Sequence, residues 1–158
     1  MNIEFEGIKL LKKDEKPIEK AIQQLFGHAF FDGFLVTVSF LDEIEMKKLQ
    51  KRFGKINSYA TDVLSFPIPM EERQFPHTKK ILGDIVICVE KAEKQASKYG
   101  HTFLEEVVVL CAHGLYHLLG LDHERSKEEA DMQMQAEMAL LEMAGFKPEL
   151  CLIGRSII

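Results

Sequence analysis

Three of the chain's six histidines fall within eleven residues, His113-Gly-Leu-Tyr-His117-Leu-Leu-Gly120-Leu-Asp122-His123. Residues four apart on a helix sit one turn above each other on the same face, so His113 and His117 can aim their imidazoles at one point. A glycine three positions later permits a left-handed turn, which can return His123 to that point. A lone histidine on an apolar helix is usually a hydrogen-bonded core residue, and an i, i+4 pair arises readily by chance. The pair, the turn glycine and the third histidine together predict a metal centre. Three neutral imidazoles suit Zn2+ or another borderline first-row ion.

A structural zinc needs a fourth protein ligand, whereas a catalytic one keeps a position for water. Cys111 stands roughly 200° around the helix from His113 and faces away. Asp122 can close the shell, but a carboxylate beside a ligand histidine more often supports it from outside. The expected set is therefore three histidines plus water, with one Zn2+ per chain. Such an ion activates water and polarises a phosphoryl or carbonyl oxygen. The spacing H-x-x-x-H-x-x-G-x-x-H resembles that of the metzincin proteases, which carry a general-base glutamate at its second position. Here that position is Gly114, which accepts no proton. Candidate bases elsewhere are Asp84, Asp122 and Glu124. Asp84 stands out as a carboxylate inside the apolar run 81–89.

Placing this helix requires a scaffold, and the rest of the sequence predicts one. Asn2–Leu10, Gly33–Leu41, Asp62–Ile68 and Ile81–Glu90 read as strands. Pro67 marks the third as an edge or an ending, and the weak alternation of the fourth suggests burial on both faces. Helices are predicted from Pro17, from an Asp42 cap with Glu45 through Phe53, and over Lys91–Tyr99 up to Gly100. Two capping boxes, Thr102-x-x-Glu105 and Ser126-x-x-Glu129, open the last two helices. The first of these is apolar on most sides and should be central. The second, ending at Met143, offers Met132, Met138, Leu140 and Leu141 to the core. Residues 69–80, with two prolines and five charges, read as a long exposed loop. The sum is an α+β fold: one domain over 1–158, a mixed four-stranded sheet packed by helices, one sheet face covered, and a central metal-binding helix.

Composition narrows the class. The 158 residues are 46% apolar and 28% charged, as expected of an ordinary globular chain. Three cysteines without a C-x-x-C pair (Cys88, Cys111, Cys151) suggest reduced core thiols and a cytoplasmic setting. The first residues carry acids where a secretion leader needs a basic start. The longest strictly apolar run, Val107–Ala112, is far short of the ~20 residues of a membrane span. The net charge of −5 argues against indiscriminate nucleic-acid coating. Residues 101–158 alone carry −6, however, while 1–60 carry +1.

Three blocks in order resemble the YbeY family of bacterial single-domain endoribonucleases. His113–His123 is similar to its H-G-x-L-H-L-x-G-x-D-H, Thr61-Asp-Val-Leu-Ser-Phe-Pro67 to its T-D-V-L-S-F-P, and Leu82-Gly-Asp-Ile-Val-Ile87 to its L-G-D-I-x-I. The resemblance implies a mixed four-stranded sheet packed by helices and one zinc on His113, His117 and His123. It also implies metal-dependent cleavage of single-stranded RNA in rRNA processing: 3′-end maturation of the small-subunit precursor, and ribosome quality control. The expected partners are a single-stranded rRNA precursor and a ribosome or ribosomal protein, with no membrane and no nucleotide cofactor. The family carries a cleft arginine within Y-R-G-K. Here the nearest text is Lys51-Arg52-Phe53-Gly54-Lys55, which makes Arg52 the candidate catalytic cation and Lys55 its alternative.

Phosphodiester chemistry fits the missing glutamate, because a metal and a cation can stabilise charge on the non-bridging oxygens. The nucleophile is either water activated at the metal, the favoured reading, or the RNA 2′-OH. On the helix 42–53, extended to residue 56, Met46, Leu49, Phe53 and Ile56 share one face. Lys47, Lys48, Lys51, Arg52 and Lys55 share the other, either as a solvated face or as an RNA track. Lys48, Lys51, Arg52 and Lys55 are the candidate RNA contacts. Two other readings of the metal helix are a zinc protease-like hydrolase and a non-enzymatic assembly factor with a structural zinc.

Overall fold

The computed structural model describes residues 1–11, 15–29, 33–54, 59–68, 81–153 and 155. Four strands, β1 (Asn2–Glu6), β2 (Leu35–Leu41), β3 (Val63–Pro67) and β4 (Ile81–Cys88), form one sheet in the order β1-β2-β4-β3. β1, β2 and β4 run parallel, and β3 is antiparallel to β4. The sheet is mixed, as expected, and β3 with its Pro67 is an edge. The predicted first strand is shorter than expected, because the chain turns at Gly7 into a 3-10 segment, Ile8–Leu11.

Five α-helices pack around this sheet: α1 (Glu15–Gly27), α2 (Glu43–Arg52), α3 (Val89–Tyr99), α4 (Phe103–Leu118) and α5 (Lys127–Met143). The caps are those the sequence predicts. Asp42 accepts from the Glu45 amide at 2.8 Å, and Thr102 and Glu105 form a reciprocal capping box. Ser126 accepts from the Glu129 amide at 3.1 Å. Each satisfies an amide that has no partner inside its own helix.

Period-two alternation sorts β4 onto two faces. Ile85 and Ile87 join Val36, Val38 and Phe40 of β2 in the main core, with α1 and α4 against them. A register shift between Leu35 and Val36 lets Leu82 join the same side. Val86 and Cys88 point the other way, into a smaller cluster with Met46 of α2, Ala60 and Leu64. The second face is thus partly covered, which the expectation of one covered face misses. α4 is buried from Glu106 through Leu115, and the three cysteines are free and buried. Met132 departs from its predicted core role: it is 59% exposed, because α5 turns Gln133 and Glu137 inward instead. The 69–80 loop lies outside the described residues.

Candidate metal centre

His113 and His117 stand one turn apart on α4, with their Nε2 atoms 3.0 Å from each other. The helix ends at Leu119, and Gly120 adopts φ +97°, a conformation disfavoured for residues bearing a Cβ. The turn that follows is tied down by Asp122, whose Oδ1 accepts from the Glu124 amide at 2.9 Å. Asp122's own amide donates to Glu129 at 3.1 Å. His123 is thereby returned to the pair, as the spacing predicts. Its ring centroid lies 4.8 Å from that of His113 and 5.3 Å from that of His117.

One ligand atom from each histidine lies within 4.8 Å of the other two. Two nitrogen ligands on a tetrahedral ion with bonds of about 2.0–2.1 Å sit roughly 3.4 Å apart, close to the observed His113–His117 separation. Burial, then the neighbouring His113 and His123, lower the His117 pKa to about 4, so its imidazole is neutral at pH 7 and has a lone pair to give. Nδ1 of His123 is buried with no hydrogen-bond partner among the described residues. Such an orphan is costly unless something binds there. The donor set fits one borderline cation.

Support comes from α5. Nδ1 of His113 donates to Glu137 Oε2 at 3.0 Å, which leaves Nε2 for a metal. Gln133, one turn earlier, lies 3.3 Å from the same Nδ1 and 3.5 Å from the His113 carbonyl. Both Gln133 and Glu137 are fully buried. Sequence reasoning missed them, although a signal exists. Residues 133, 137, 140, 141 and 144 form a single helical stripe, and two of its members are polar. Polar residues in a core stripe need buried partners.

The histidines open onto a cleft of about 700 Å3 whose far wall is the segment Thr61–Ser65 with Pro67. Gln50 of α2 sets that wall by accepting from the Thr61 amide at 3.0 Å. β3 and α4 meet closely at Gly114. A Cβ there would come within 2.9 Å of Ile85 and 3.1 Å of the Ser65 hydroxyl, which itself donates to the Gly114 carbonyl at 3.2 Å. The position that bears glutamate in the metzincin pattern therefore has no room for a side chain.

The three candidate bases separate. Asp84 projects from the sheet face opposite Ile85, exposed beside Thr37 and Glu6, with its pKa raised by desolvation first and then by the Glu6 carboxylate. It does not line the cleft, because strand alternation turns it away. Asp122 lines the cleft, but the hydrogen bond from Glu124 lowers its pKa and makes it a weaker base. Glu124 lines the cleft and is exposed.

The candidate cations separate too. Lys47, Lys48, Lys51 and Arg52 are all exposed on α2, and Arg52 is not among the cleft-lining residues. Lys55 lies outside the described residues. Phe53, expected on the apolar face, is 57% exposed, with its ring 4.6 Å from that of Phe66 on β3. The arginine that does line the cleft is Arg125, which sequence reasoning missed; it pairs with Glu129 at 3.1 Å and also donates to the Gly120 carbonyl.

The Endoribonuclease YbeY family model matches residues 2–144. The chain belongs to the YbeY family. An Endoribonuclease YbeY from Alkaliphilus oremlandii is 44% identical over 139 residues, covering 82% of this chain and 91% of the relative. One from Persephonella marina is 35% identical, covering 81% and 82%. The solution structure of TM1509 from Thermotoga maritima superposes with a TM-score of 0.54 at 26% identity, covering 98% of this chain and 99% of that one. The YbeY match supports an RNA-cleaving hydrolase, and the histidine trio lies inside the matched stretch. No helix among the described residues is long and apolar enough to cross a membrane.

Proposed function

We propose that this chain is a zinc-dependent, single-strand-specific endoribonuclease acting on precursor rRNA, with late 3′-end maturation of the small-subunit RNA and ribosome quality control as its setting. The observation that carries the reading is the trio His113, His117 and His123 at the floor of an open cleft, in a chain of the YbeY family. Bound there, a zinc ion would supply Lewis acidity and an activated water. The chain's own residues do the rest. Glu137 holds the proton on Nδ1 of His113 and fixes its tautomer. Glu124, which lines the cleft and is exposed, is the carboxylate we assign to take a proton from the attacking group.

Arg52, exposed on α2 outside the cleft lining, is proposed to reach the phosphate backbone of a strand that enters the cleft, with Lys48, Lys51 and Lys55 holding the strand beside it. Exposed Phe53 and Tyr59 supply ring faces near that basic stretch on which unpaired bases can stack. The ribosome or a ribosomal protein would bring the substrate, and the compartment would be the cytoplasm. The lack of space at Gly114 disfavours the protease reading.

The test is cleavage of a single-stranded RNA by wild type and by His113→Ala protein purified identically, with bound metal measured in both. Cleavage and metal lost together are expected, and equal cleavage by the two would end the nuclease assignment. Hydroxyl and phosphate ends are expected on the products; 2′,3′-cyclic phosphate ends would instead assign the attack to the 2′-OH.

A further inference from the structure

Beyond the stretch that the family model matches, the chain crosses behind the metal centre and is fastened there. Arg155 forms a two-pronged ion pair with Glu106 of α4, Nη1 to Oε2 at 2.8 Å and Nη2 to Oε1 at 2.7 Å. Nη2 also donates to the Leu150 carbonyl at 3.0 Å, and the guanidinium lies 4.8 Å from the centre of the Tyr99 ring. Glu106 is fully buried and also accepts from Gln95 at 2.6 Å, with His101 Nε2 at 2.7 Å. A buried carboxylate with this many donors is a fixed anchor rather than a surface pair.

The fastened segment reaches the metal centre in two ways. The Cys151 thiol lies 3.6 Å from Glu137 Oε1, the other oxygen of the carboxylate that holds His113. Burial and that carboxylate push the thiol up to about 12, so it keeps its proton and acts as a donor. Leu152 lines the main cleft, and it also lines a second cavity of about 310 Å3 on whose wall His113 and His123 appear again, with Tyr99, Ile153 and Arg155. Leu152 therefore forms part of the partition between the two cavities, beside the histidines that both share.

We propose that Leu150–Ile153, together with Arg155, is a working wall of the metal centre: Arg155 latches it to Glu106, Cys151 steadies the carboxylate that orients His113, and Leu152 keeps the two cavities beside the histidines apart. Arg155 and Cys151 are positioning residues. The proposal rests on the metal reading above. It predicts that loss of the wall speeds escape of the ion, whereas a purely structural role would change only the unfolding midpoint.

The experiment loads the full chain with Co2+, whose visible spectrum reports coordination, and follows extraction by a chelator. Each protein is held equally far below its own midpoint. Leu152→Ala leaves the latch in place, and Glu106→Gln/Arg155→Met removes the latch without stranding a buried charge. Both are expected to release cobalt roughly tenfold faster than wild type, as loss of the shell around a metal does. Rates within twofold of wild type in Leu152→Ala overturn the proposal, even if the double variant fails to fold. A wild-type chain that takes up no cobalt overturns the metal reading itself, an outcome distinct from equal rates.

Discussion

Glu137 Oε2 lies 3.0 Å from Nδ1 of His113 across the α4–α5 contact, with the carboxylate fully buried and the imidazole nearly so. The pair joins α4, which carries His113 and His117, to α5, which contributes no histidine to the trio. Removing the carboxylate should leave the three ligands present but one of them poorly aimed. Glu137→Gln is expected to lower zinc affinity about 10- to 100-fold, measured by competition with a chromophoric chelator. An unchanged affinity would show that His113 needs no orienting partner.

Gly114 makes a second prediction, about packing. Gly114→Ala puts a methyl group 2.9 Å from Ile85 and 3.1 Å from Ser65, one neighbour on each of the two strands nearest α4. Overpacking of this kind costs about 1–3 kcal/mol, readable as a lower midpoint in urea. Gly114→Glu should be worse still, and it should not confer peptide hydrolysis. A Gly114→Glu protein as stable as wild type would mean that α4 can shift off the sheet.

The Glu106 cluster predicts a dependence on pH. Burial works to raise this carboxyl's pKa, but hydrogen bonds from Arg155 and Gln95 and the Arg155 charge outweigh it. The net shift is downward from the ordinary 4.5. A depressed folded-state pKa gives stability that is present above the unfolded value and lost as pH falls through the folded one. Wild type should therefore lose stability more steeply than Glu106→Gln/Arg155→Met as pH drops below about 4.5, followed by urea unfolding. Parallel curves would assign acid unfolding to other groups. Arg155→Ala alone should cost up to about 3–5 kcal/mol at neutral pH, since it leaves the buried Glu106 carboxylate without its guanidinium, with Gln95 and His101 as its remaining partners.

The basic face of α2 predicts a salt dependence. Among the described residues Lys48 pairs with exposed Glu45, at 3.3 Å, and releasing it from that pair to a phosphate costs little. Contacts from all five cations of this face, Lys47, Lys48, Lys51, Arg52 and Lys55, to single-stranded RNA would give a log–log salt slope of roughly −3.5. Lys48→Ala/Lys51→Ala/Arg52→Ala should reduce the slope by about 2 while leaving metal content unchanged. A slope equal to that of wild type would leave the face a solvated one.

Much of this architecture is readable in the sequence because local signals agree with the tertiary fold. Thr102, Asp42 and Ser126 cap their helices as their spacing predicts, and Gly120 turns the chain to return His123. What escapes sequence reading depends on partners far away. Asp84 looks like a buried carboxylate within 81–89, yet alternation and the β2–β4 register place it outward beside Thr37. Glu137 looks like a surface acid until α4 is laid against α5. Arg155 and Glu106 stand 49 residues apart, and no spacing rule connects them. Arg125 escapes notice because it lies just past His123, where the motif ends.

The three histidines lie within eleven residues on one helix and its own turn. The ligand set is therefore complete as soon as that short stretch has left the ribosome and coiled, before α5 exists. If the trio holds an ion as proposed, a nascent chain would take hold of it early, and the ion would favour the compact conformer of the turn. Tightening comes in later steps, when Glu137 docks 24 residues downstream of His113 and Cys151 a further 14 beyond that. On the proposed metal reading, synthesis order would separate capture of the ion from its retention, and a chain ending before residue 137 is expected to hold the ion less tightly than the full chain.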